Sequence, residues 1–100
     1  MQNIDIPLPT TLDNKTIETF IDAAIAQCGL GVTLRDTLKK YPGSIHWHLK
    51  LGRKPGILEV TLWPEQHRAW FSVQSGRRAP WIADDISRLD ELIRLRLWVD

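Results

Sequence analysis

Three histidines, one cysteine and a few serines are the side chains of this 100-residue chain best suited to ligation or proton transfer. His46 and His48 flank Trp47 in a stretch that alternates apolar and polar residues. A strand there puts both imidazoles on one face, roughly 7 Å apart along the backbone, a spacing that metal sites use. The turn holding His67 is expected at the same end of the sheet as His46. His46, His48 and His67 are therefore candidate ligands of a zinc-type ion, although no carboxylate or thiolate is assigned to the cluster. Cys28 closes the apolar face of a helix and reads as a small buried hydrophobe. It has no second cysteine to pair with, which fits a reducing cytoplasm. Ser44, Ser72 and Ser75 lie near histidines in sequence, but no orienting carboxylate is placed beside them. There is no G-x-S-x-G, Walker-type loop, H-E-x-x-H or C-x-x-C. A non-catalytic protein without cofactor is the expectation.

A second group of residues is suited to binding. The first 34 residues hold one cation against four carboxylates, residues 35–80 nine against three, and residues 81–100 three against five. An acidic–basic–acidic chain either complements itself or offers a basic patch to a polyanion. Trp63 and Trp70 fall at outward positions of neighbouring strands, among His46, His48, Lys50 and Arg68. Two exposed indoles on a sheet face mark a contact surface. The first reading is that another protein, a second copy or the N-terminal arm covers them. The alternative is RNA or single-stranded DNA, with bases stacked on the rings and cations on the phosphates. Arg77 and Arg78 precede a helix N-terminus and form, with Arg53 and Lys54, a candidate anion site.

The elements that position these residues can be read from periodicity. Pro7 and Pro9 keep residues 1–12 out of a helix, leaving an extended arm in which Ile4, Ile6 and Leu8 alternate. A helix from Asn14 to Cys28 places Ile17, Phe20, Ile21, Ala24 and Ile25 on one face, with Asp13 as N-cap and Gly29 just past its end. Thr33-Leu34-Arg35-Asp36 resembles a capping box that opens a short helix, stopped by Pro42-Gly43. Residues 44–51, 57–63 and 68–74 alternate as strands, separated by turns at 52–56 and 64–67. Pairing Val60 with Phe71 and Leu49 with Val60 sets the register. It puts Lys50 opposite Glu59, His46 opposite Trp63 and Trp63 opposite Arg68, giving one salt bridge and one cation–π contact on the outer face. Pro80 opens a long last helix with Ile82, Ile86, Leu89, Ile93 and Leu97 as its stripe. Asp84–Arg88 and Asp90–Arg94 form supporting pairs on it. Leu92, Leu95 and Trp98 lie off the stripe, so its last turns are apolar on a second side.

The expected fold is α+β: helix, short helix, three-stranded antiparallel meander and long C-terminal helix, with both long helices on one face of the sheet. Residues 13–100 form one domain behind the arm at 1–12. With 43% hydrophobic and 25% charged residues, the composition excludes a disordered chain, and no apolar run approaches the length that spans a bilayer. Met1-Gln2-Asn3-Ile4-Asp5 has neither the basic nor the apolar region of a secretory signal. The stretches Tyr41-Pro42-Gly43-Ser44-Ile45-His46-Trp47-His48 and Trp70-Phe71-Ser72-Val73-Gln74-Ser75-Gly76-Arg77 resemble a family of short uncharacterised bacterial proteins of cyanobacterial type. That resemblance implies a bacterial cytoplasmic setting and no activity. The helix–strands–helix order also resembles the double-stranded RNA-binding domain, which would assign duplex contacts to the first helix, the Arg53-Lys54 turn and Arg77-Arg78. The sequence thus describes a small cytoplasmic binding module: protein or self-association first, nucleic acid as the alternative, a histidine metal site third.

Overall fold

The computed structural model describes residues 2–98. Met1 of the arm and Val99 and Asp100 at the end of the domain lie outside them. The chain forms β1 (Gln2–Ile6), α1 (Asn14–Gln27), β2 (Gly31–Asp36), β3 (Ile45–Lys50), β4 (Leu58–Trp63), β5 (Arg68–Val73) and α2 (Pro80–Leu97), with single 3-10 turns after β4 and β5. The class is α+β, and the sheet has five antiparallel strands in the order β1-β5-β4-β3-β2. β1 and β2 sit at opposite edges. The four strand spacings between them come to about 19 Å, and a helix of the length of α1 spans about 21 Å, enough to carry the chain across.

The expected three-strand meander falls short by both edge strands. The arm is no loose tail: Ile4 pairs with Phe71 and Ile6 with Ala69, so the alternation of isoleucines belongs to a sheet. It stays pinned beyond β1, because His67 Nε2 and the Trp98 indole reach the carbonyls of Pro9 and Pro7 at 3.1 and 3.2 Å. The expected short helix is β2 instead. Its alternation is hidden by an irregularity between Val32 and Leu34, where the register against β3 shifts. A bulge of this kind turns the next side chain to the other face. Arg35 then reaches α1, where it bonds Glu18 and, at 3.1 Å, Asp22.

Face assignment follows from the alternation, and between β4 and β5 so does the register. Val60 meets Phe71, Thr61 meets Trp70 and Trp63 meets Arg68, as the sequence indicates. Between β3 and β4 the expected register is displaced by two residues: Trp47, not Leu49, lies opposite Val60. Lys50 therefore does not face Glu59: the residues opposite Glu59 and Thr61 are His48 and His46, and on its other side Lys50 pairs with Gly31 of β2. A two-residue displacement preserves every face. Trp47, Leu49, Leu58, Val60, Leu62 and Phe71 point inward and join the buried residues of α1 and α2 in one apolar cluster.

The helices are held as their sequences suggest. The Asp13 carboxylate accepts the Thr16 N–H at 2.7 Å, which holds its pKa below the usual carboxylate range. Gly29 follows α1 with φ of +77°, a conformation glycine adopts without strain. In α2 Asp85, buried, rather than Asp84, pairs with Arg88 at 2.8 Å, and Asp90–Arg94 forms at 2.9 Å. The Trp81 indole donates to the Pro55 carbonyl at 2.8 Å. Here Gly56 is required: its φ is +106°, and a Cβ would lie 2.5 Å from that of Ala79. No helix among the described residues is long and apolar enough to cross a membrane.

Candidate metal centre on the outer sheet face

The sheet face opposite the apolar cluster would ordinarily be solvated. Instead His46, Glu59, Thr61, Trp70 and Ser72 are each 4% exposed or less. Much of the cover comes from the connection between β2 and β3. Residues 37–44 close on themselves through Tyr41 N–H to Leu38 O, Ser44 N–H to Tyr41 O and Leu38 N–H to the Ser44 hydroxyl, at 3.0–3.1 Å. Tyr41 then packs on two indoles, 4.9 Å from Trp63 and 5.0 Å from Trp70. Arg68 lies over Trp70 at 5.0 Å, not over Trp63, and holds Asp5 of β1 at 3.3 Å. Trp63 is half-buried and donates its indole N–H to the Pro42 carbonyl.

Two expectations change with this cover. Trp70, 4% exposed, presents no ring face for a base to stack on, and within the chain Tyr41 packs on both indoles while Asp5 of the arm pairs beside Trp70. The three histidines also do not converge. His67 caps the turn after β4 in a left-handed conformation, with φ of +51°, and ties down the arm.

A carboxylate takes the place of His67. His46 and His48 stand two residues apart on β3, and Glu59 lies across from His48 on β4. The Nε2 atoms of the two imidazoles are 3.1 Å apart. Glu59 Oε1 lies 3.0 Å from His46 Nε2 and 3.8 Å from His48 Nε2. Donors bound at about 2.1 Å in a tetrahedron are separated by about 3.4 Å, so these three edges bracket the separation such an ion needs. The set of two imidazoles and one carboxylate suits zinc and related first-row ions, and it leaves a coordination position open.

Supporting contacts fit that use. His46 Nδ1 lies 2.8 Å from the Thr61 hydroxyl, and a partner on Nδ1 fixes the tautomer that leaves Nε2 free to ligate. Burial lowers the His46 pKa, outweighing the opposite pull of Glu59, while the adjacent His48 lowers it further. The shift favours the neutral ring, the form in which imidazole ligates a metal. Glu59 Oε2 and Arg77 Nη1 are buried, 3.9 Å apart, and neither makes a hydrogen bond. That oxygen of the carboxylate has an ion-pair partner but no hydrogen bond, a shortfall that costs stability and that a cation on Glu59 would ease.

The remaining candidates are distributed elsewhere. Arg53 and Lys54 lie exposed in the β3–β4 turn, and Arg77 and Arg78 lie just before α2. The two segments are neighbours, joined by Ile57 N–H to Arg77 O at 3.1 Å. Cys28 is buried next to the end of α1, and burial raises its pKa, so the thiol stays protonated. Glu59 is the member of this cluster that the sequence reading leaves out of its candidates, while Thr61 falls there on the outward face without a role. The outward parity of Glu59 on β4 is the available signal, masked by its expected pairing with Lys50. No family model matches the chain, and no similar curated protein or solved structure was found.

Proposed function

We propose that this chain is a small metal-binding module, holding one zinc-type divalent ion through His46 Nε2, His48 Nε2 and Glu59 Oε1. The observation that carries this reading is the convergence of three donor atoms within 4.8 Å of one another on two central strands. In this reading both helices cover the inner face and the outer face works, as a binding site with no reaction assigned to it. A cytoplasmic setting is part of the proposal, supported by the single buried cysteine. Equilibrium dialysis of purified protein against Zn²⁺ tests it. One ion per chain is expected, with at least a hundredfold loss of affinity in Glu59→Gln and His48→Ala, since each removes one of only three protein ligands. Absence of stoichiometric zinc, or equal binding by Glu59→Gln, would overturn it.

A second reading, association with another protein or a second copy, is favoured by one observation. Leu95 and Trp98, at the end of α2, are 62% and 51% exposed. Size-exclusion chromatography with light scattering tests it: Leu95→Glu shifts the mass to the monomer if this patch associates.

A further inference from the structure

The triad opens into a groove of about 400 Å³ on the outer face, within the range of small-molecule sites. This inference rests on the metal reading. A divalent ion held by two neutral imidazoles and one carboxylate keeps a net positive charge and an open position. Lys39 and Lys40 line the same groove, against one further acid, Asp36. The occupant therefore carries negative charge. The groove is otherwise lined largely by apolar surface, with Leu34, Leu38, Tyr41 and Trp70 among its walls. An inorganic phosphate, polar on every side, would lose hydration against such walls without replacement. A carboxylate attached to a carbon skeleton presents charge at one end and apolar surface at the other.

We infer that the groove takes a small organic carboxylate, its anionic end at the open position of an ion on His46, His48 and Glu59 and its apolar body against Leu38 and Tyr41. Titration of the Co²⁺-loaded protein with benzoate, acetate and inorganic phosphate, followed by the visible Co²⁺ absorption, tests this. Benzoate should perturb the spectrum saturably and bind about tenfold or more tightly than acetate, because its ring buries apolar surface. Replacing both exposed lysines, Lys39→Ala with Lys40→Ala, should weaken benzoate at least threefold without changing Co²⁺ affinity. A chain that fails to bind Co²⁺ sinks the metal reading itself. Co²⁺ bound one to one with a spectrum indifferent to benzoate, or phosphate binding more tightly than benzoate, overturns this inference and leaves the metal reading standing.

Discussion

The two faces of the sheet are buried by opposite chemistry. On the inner face Trp47, Leu49, Leu58, Val60, Leu62 and Phe71 are fully buried among helix side chains, the arrangement a fold of this size needs to offset chain entropy. On the outer face His46, Glu59, Thr61 and Ser72 are nearly as inaccessible, although burying them contributes little to stability and costs desolvation. Apolar residues at those positions would serve the fold as well. Buried polar groups that the fold does not need are where its function is to be sought.

The comparison is broken if the two faces respond alike to substitution. The largest expected effect is on the inner face. Phe71→Ala should cost about 3–5 kcal/mol, read as a fall in the urea midpoint at unchanged slope. Next comes the cover of the outer face. Tyr41→Ala loses two aromatic contacts of about 0.5–1.5 kcal/mol each, and it should make Trp70 accessible to a fluorescence quencher. Glu59→Gln should shift apo stability by no more than about 1 kcal/mol in either direction, because one oxygen of this carboxylate makes no hydrogen bond, while zinc binding is lost. A drop comparable to that of Phe71→Ala would make Glu59 a structural residue.

Acid sharpens the contrast. Because the folded His46 holds its proton less tightly than an unfolded histidine, the unfolded chain takes up more protons. Stability is then fully present above about pH 6.5 and falls as the pH drops below it, by at most about 1.4 kcal/mol per pH unit for one proton. The groups facing this ring are Glu59 and His48 beside it and Asp36 across from it on β2. Urea titrations between pH 7.5 and 5 should show this slope in the metal-free protein and a shallower one in His46→Gln.

The inner face was the legible one. Its alternation assigned every inward residue of β3, β4 and β5, and on the β4–β5 side it also gave the register. The outer face was hidden by the same logic. An even displacement leaves all faces unchanged, so parity could not choose between registers for β3 and β4. The choice then fell to charge: Lys50 opposite Glu59 is the natural pair on a solvated face, and this face is not solvated. That one pairing removed the carboxylate from the histidines and replaced it with His67. β2 was lost for another reason. Its bulge broke the alternation, and Thr33 followed by Asp36 imitated a helix start. Strand β1 left the clearer trace, in the spacing of Ile4 and Ile6, but an edge strand far from its partner in sequence gives no local sign of pairing.

The most direct measurement is anomalous diffraction at the zinc edge from crystals grown with Zn²⁺. The account expects one strong peak within about 2.0–2.2 Å of His46 Nε2, His48 Nε2 and Glu59 Oε1, with a fourth ligand on the groove side. A peak at His67 or Cys28, or none on the outer face at saturating zinc, would contradict it.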